Sequence, residues 1–140
     1  MTRHKPSVYA ICMLREAEVV GRKLFLTFTG LGSSSSSFRA FVIPVAGEKY
    51  IVKGAAARFA TASTSGKIQL EVAGVDVDAG SGTNQLDTAL DLSLTEDENV
   101  RSAVSTPTVL DDAGSLNVVI SGTLTNLADC VLTVELEKAN

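Results

Sequence analysis

The run Asp76–Asp87 (DVDAGSGTNQLD) is the stretch of this 140-residue chain most like a chemical site. Acids stand at its first, third and twelfth positions and Asn84 at the ninth, the spacing by which a loop wraps a calcium ion in carboxylate and amide oxygens. The pattern breaks at the fifth position, where Gly80 brings no side-chain ligand. It breaks again at the sixth, where Ser81 stands in place of the glycine that allows the sharp turn. Asp and Gly also suit turns that need a positive φ. The run therefore reads as a solvated connection between strands, with calcium binding as the alternative.

Other chemistry finds less to work with. His4 is the only histidine and stands near the N-terminus, so neither a Ser-His-Asp nor a Cys-His set can be built on the body of the chain. Cys12, Cys130 and His4 do not make a spaced four-ligand zinc set. Glu96, Asp97 and Glu98, and again Asp111 and Asp112, supply neighbouring carboxylates. Glycoside cleavage needs two carboxylates held at a fixed separation, and nothing in these loops fixes one. Gly80-x-Gly82 lacks the third glycine and the helix of a phosphate loop. The N-terminal basic residues have only Tyr9 to stack on a base. The reading is a non-enzymatic protein with no metal, no cofactor and no nucleic-acid partner. No membrane partner is expected either, because the apolar run Val8–Leu14 is far too short to cross a bilayer.

The net charge of −4 hides an asymmetry. Residues 1–58 carry nine Lys/Arg against three acids, and residues 59–140 carry three against thirteen. A basic leading part and an acidic body can associate head to tail with copies of the same chain, or with an acidic partner; the plainer reading is that the charges solvate exposed faces. Arg3, His4 and Lys5 precede Val8–Leu14 in the order of a secretory signal, but Pro6 interrupts, Arg15-Glu16 follow at once and no small-residue cleavage site appears. The expectation is a soluble chain with no export route of its own. Cys12 and Cys130 are then expected as thiols.

The elements that would have to position any site are strands. Residues 1–21 do not alternate, and Leu14–Val20 offers at most a helical turn too short to be stable alone. This part reads as an adhesive N-terminal arm, ordered by docking on a neighbour through Arg3, Lys5, Val8, Tyr9, Ile11, Leu14 and Arg15. Residues 22–140 form the second unit. Strands are expected over Arg22–Thr29, Phe38–Ile43, the start of Glu48–Ala60, Lys67–Ala73 and Thr88–Leu94, and over Val100–Thr106, whose β-branched residues before Pro107 are preferred to a short helix that Thr95 and Glu98 would cap. Pro44 stops the second of these, and Gly54 marks a bulge or a close backbone approach. Ser33–Ser37 reads as a plain solvated connector. The chain closes on Ser115–Glu137, which reads as an antiparallel hairpin with Leu132, Val134 and Leu136 on its core face. About eight short strands at such spacing point to a sandwich, jelly roll or barrel.

The second half carries a family likeness. Pro44–Gly47 (PVAG), Ala60–Ser65, Ile68–Ala73, the Gly80–Thr83 turn (GSGT), Leu90-Asp91-Leu92, Asp112–Gly114, Val118–Ile120, Gly122–Asn126 (GTLTN) and Val131–Leu136 follow one another in an order that resembles small virion structural proteins of tailed bacteriophages, of the capsid-decoration, cement or head-fibre kind. The likeness spans about Phe41 to Leu136. It departs before Val118, where relatives carry Gly-Asp and this chain has Asp112-Ala113-Gly114-Ser115. What it implies is a jelly-roll-like antiparallel β-sandwich of about eight strands, homotrimeric, assembled in the host cytoplasm and bound to the major capsid protein on the outside of the head. The alternatives are a tail, collar or baseplate component, or a receptor- or carbohydrate-binding module of the same particle.

Overall fold

The computed structural model describes residues 13–74 and 80–139. Among these there are ten strands and no helix. In chain order they are β1 (Met13–Val20), β2 (Lys23–Leu31), β3 (Phe38–Phe41), β4 (Tyr50–Arg58), β5 (Lys67–Gly74), β6 (Thr83–Asn84), β7 (Leu90–Asp91), β8 (Val100–Ala103), β9 (Gly114–Ser121) and β10 (Cys130–Lys138). They make two antiparallel five-stranded sheets. The first has the order β1-β2-β10-β4-β8, and the second has the order β3-β9-β5-β6 with β7 also on β5.

Period-two alternation explains why these segments are strands. In β2 Leu24, Leu26 and Phe28 are buried while Phe25, Thr27 and Thr29 are only half-buried. In β10 Leu132, Val134 and Leu136 are fully buried. Ile68, Leu70 and Val72 of β5 and Leu116 and Val118 of β9 do the same for the second sheet. All of these join one core cluster, and the rings of Phe28 and Phe38, one from each sheet, lie 5.7 Å apart. Each such leucine or isoleucine contributes about 2 kcal/mol on burial. Gly54 is the site of the expected irregularity: Glu135 pairs with Gly54 and Leu136 with Val52, so Lys53 is the extra residue.

Three expectations change. Ser115–Glu137 is not a hairpin: β9 pairs with β3 and β5, β10 pairs with β2 and β4, and residues 122–129 carry the chain from one sheet to the other. The connector is pinned by the buried Leu124 and Leu127 and by the bridge between Thr61 and Ala128. Alternation identifies a strand and its buried face, but not the strand beside it.

The second change concerns the arm. From Met13 on it is strand β1, paired along β2 from Met13–Thr29 to Val20–Lys23, and Ala17 packs against the core. Pairing with β2 supplies the partner that the local sequence does not reveal. Leu14 pairs with Phe28 and Arg15 falls at a register shift, whereas Arg3, Lys5, Val8, Tyr9, Ile11 and Cys12 lie outside the described residues.

The third change is at the outer edge of β5. Only Leu90–Asp91 of the expected Thr88–Leu94 strand pairs, and Thr83–Asn84 pairs as well. Between them the Gln69 side chain replaces the ladder: its carbonyl accepts from Leu86 N at 2.8 Å and its amide donates to Leu86 O at 3.1 Å. Residues 83–92 thus run along β5 as one interrupted strand, closed by Leu92 N donating to Gly66 O.

Candidate functional site

Three features of the surface are built rather than incidental. The first is a polar latch on the outer face of the second sheet. Glu71 on β5 is only 1% exposed, and Asn117 and Ser115 opposite it on β9 are fully buried. The Glu71 carboxylate accepts from Gly80 N at 2.7 Å, Gly82 N at 3.1 Å and Asn117 Nδ2 at 2.9 Å, while Ser115 Oγ donates to Asn117 Oδ1 at 2.9 Å. The carboxylate therefore ties the end of the β5–β6 loop onto the sheet. A Cβ at Gly82 would lie 2.8 Å from both the Ala73 side chain and the Val72 carbonyl, so the loop can approach this closely only as glycine.

This arrangement bears on the calcium-like run. Asp76 and Asp78 lie outside the described residues. Asp87, its twelfth residue, is committed elsewhere: its carboxylate accepts from Ser105 N at 2.9 Å and Ser105 Oγ at 2.6 Å, and these bonds hold its pKa below the ordinary carboxylate value. Glu71 likewise takes the Gly80 and Gly82 amides. No group of three or more metal-ligating side chains occurs among the described residues. Three of the five loop carboxylates singled out as possible acid/base groups accept from backbone N–H groups. Glu96 accepts from Ala62 N, Asp111 from Ala113 N, and Asp112 from Gly47 N.

The second feature is a trough on the outer face of the first sheet. It consists of two adjoining hollows of about 450 and 460 Å³ that share Ala56 of β4 and Thr133 of β10. Small side chains make the floor low: Gly54 and Ala56 face outward where β4 pairs with β8. A Cβ on Gly54 would come within 3.0 Å of the Ser102 carbonyl, which explains the glycine. One hollow is rimmed by Arg58, Asp97, Asn99 and Asp129, the other by Phe25, Lys53, Arg101 and Glu135. Asp97 and Asp129 both adopt left-handed backbone, at φ 58° and 53°, a conformation Asp tolerates better than most residues. Both basic and acidic groups rim an apolar floor.

The third feature is an apolar end. Among the described residues seven large apolar side chains are exposed, and five of them are Val19, Val20, Val42, Val45 and Val109. Backbone bonds bring their loops together: Lys138 N donates to Arg22 O beside the β1–β2 turn, Ala139 N to Lys49 O, and Tyr50 and Leu110 form a bridge. The Asp112 carboxylate accepts from Gly47 N at 3.1 Å, joining the β3–β4 loop to the loop before β9. Tyr50 stands beside these loops. Burial first, then the adjacent Glu48 carboxylate, push its phenol above the ordinary value. The residue that enters β1, Met13, pairs with Thr29 and so lies at the opposite end of the sheet.

No protein-family model matches this chain, and no curated protein matches it significantly. Sequence reasoning missed all three features. Glu71 looks outward and solvated in KIQLEVA; the signal was the uncharged polar pair Ser115 and Asn117 on the strand that turns out to neighbour it. The valines are scattered in sequence, and only the sheet topology brings them to one end of the fold.

Proposed function

We propose that this protein is a non-enzymatic virion structural protein that binds the outside of a phage head and stabilises it as a decoration or cement protein. The partner in this reading is the major capsid protein, and the protein acts as a homo-oligomer, a trimer if it follows the family it resembles.

The strand order supports a jelly-roll β-sandwich as the underlying plan. With β1 set aside and β6 and β7 taken as one interrupted strand, eight strands remain. They pair in nested fashion, β2 with β10, β3 with β9, β4 with β8, and β5 with β6 and β7. Such a chain, folded back on itself and then wrapped into two sheets, is the plan the family likeness implies.

The observation that carries the reading is the apolar end. Five exposed valines gather at one end of the fold, Val19 and Val20 closing β1, Val42 and Val45 in the β3–β4 loop and Val109 in the loop before β9, with the exposed Lys49, Asp111 and Asp112 among them, and exposed apolar residues rimmed by charge mark protein–protein contacts. A cement protein meets its shell at many equivalent places, so a modest contact per copy is multiplied by avidity. The apolar end faces the shell. The docking expected of the N-terminal arm falls on residues 1–12, outside the described residues, and on β1, which pairs with β2 of its own sheet.

Co-sedimentation of the purified protein with heads that lack it tests this. The intact chain is expected to pellet with heads, and V45D/V109D to lose at least about tenfold in affinity while its unfolding midpoint stays put, as exposed loop changes cost little. Equal binding by V45D/V109D would remove the apolar end from the proposal.

A further inference from the structure

We infer that the trough on the outer face of the first sheet is the contact between two copies of this chain, laid face to face across a two-fold axis. The inference goes beyond the proposed function: it gives the homo-oligomer a two-fold contact and makes no use of a shell.

The two halves of the trough differ in charge. Counted over the lining residues, the hollow with Arg58, Asp97 and Asp129 carries one net negative charge, and the hollow with Lys53, Arg101 and Glu135 one net positive charge. Lys53 already pairs with Glu137, and Glu135 with Lys23. Arg101, Asp97 and Asp129 are exposed and make no ion pair among the described residues. Each end of the trough therefore holds charge that the single chain does not neutralise.

That arrangement is complementary to itself. Thr133, Ala56 and Arg101 stand in one register row across β10, β4 and β8. The Asp97 N–H donates to Phe59 O at 3.0 Å, three residues further along the chain than Ala56. Arg101 and Asp97 are thus about 10 Å apart along the strand direction. A two-fold axis running across the strands midway between them brings Arg101 of each copy over Asp97 of the other, as an isologous contact requires. The same axis passes among Ala56, Thr133 and Val131, so the floors meet each other and cover Val131, one of the exposed large apolar side chains. The small Ala56 leaves room for the apolar stem of the other copy's Arg58. Four strands make a face under about 20 Å wide. This is small for a permanent dimer, so association is expected at micromolar concentrations.

Sedimentation equilibrium of the purified full chain, from about 1 to 500 µM, tests the contact. A monomer–dimer equilibrium is expected, with a Kd of about 10–100 µM. R101E and D97N should each weaken it at least about tenfold. Both side chains are exposed, and Asn tolerates the left-handed backbone at Asp97, so the unfolding midpoints should hold. The reversed pair R101E/D97K should return the dimer to within about threefold of the native Kd, because the two charges exchange roles across the same axis; effects unrelated to the pair would add instead. V45D/V109D should dimerise like the native chain. A chain that stays monomeric throughout, a trimer without a dimer, native association in both single variants, or a reversed pair weaker than either single variant would overturn the inference. Loss of the dimer in V45D/V109D would move the self-contact to the apolar end and overturn it too. Because no head is present, failure here leaves the capsid reading untouched.

Discussion

Glu71 is a buried charged residue whose removal should destabilise this fold. Its carboxylate accepts three hydrogen bonds, from Gly80 N, Gly82 N and Asn117 Nδ2. In Glu71→Ala all three donors lose their acceptor. Gly80 is exposed and water can replace the carboxylate there. Asn117 is fully buried and Gly82 half-buried, so their groups stay dry. A buried donor left unpaired costs about 1–3 kcal/mol, and bonds to a charged acceptor lie at the upper end. The expected loss is about 3 kcal/mol, a large share of the 5–15 kcal/mol that holds a typical domain together. For a chain of this size it corresponds to a fall in Tm of about 10 °C. Glu71→Gln keeps the volume and the bond to Asn117 but turns an amide donor toward one of the glycine N–H groups, so about half of the loss is expected. Urea unfolding gives the free energies, and hydrogen exchange at Gly80 and Gly82 reports the loop itself. If Glu71→Ala unfolds within about 0.5 kcal/mol of the native chain, or leaves exchange at Gly82 unchanged, the latch does not hold the loop.

Two further outcomes follow from single residues. Gly122 has φ 75°, and a Cβ there would collide with the Ser65 carbonyl, whereas Gly47 has φ 84° with open space around it. Gly122→Ala is therefore expected to cost about 3 kcal/mol or more and Gly47→Ala only the left-handed strain of about 1 kcal/mol, read from urea midpoints; equal costs would refute the packing argument. Asp87 has its pKa lowered by the Ser105 hydroxyl and backbone bonds. Its folded form therefore binds protons less readily than its unfolded form. The stability this gives is complete above the ordinary carboxylate value near 3.8 and fades as the pH falls through the lowered folded value. Asp87→Asn should lower the thermal midpoint at pH 7 and converge with the native chain in acid; a difference that persists unchanged in acid would show that the effect is not the carboxylate's.

The strands were legible where burial is one-sided. Leu24, Leu26 and Phe28, and again Leu132, Val134 and Leu136, announce their face by period two, because each lies on a strand with one face in the core and one outside. Which strand lies beside which was not legible. Ser115–Glu137 has every local mark of a hairpin, yet its two strands belong to opposite sheets, because residues 122–129 bury Leu124 and Leu127 while crossing the core's rim. The strand at Met13–Val20 was hidden for the converse reason. Its Arg15, Glu16 and Glu18 break the apolar pattern, and only the long β2 beside it gives its backbone a partner. The short β6 and β7 were blurred because Gln69 completes the ladder with a side chain, which alternation cannot reveal. Of the surface features, the charge asymmetry was readable at once. The apolar end and the Glu71 latch needed the topology, since each draws on residues from loops or strands far apart in sequence.

The most direct test of the decoration proposal is a count. Quantitative mass spectrometry of particles that contain this protein, referenced to the major capsid protein, gives copies per particle. Binding at the repeated, symmetry-related sites of a shell requires on the order of hundreds of copies. That is the expected result, and about a dozen copies or fewer would contradict it and place the protein at the tail or collar.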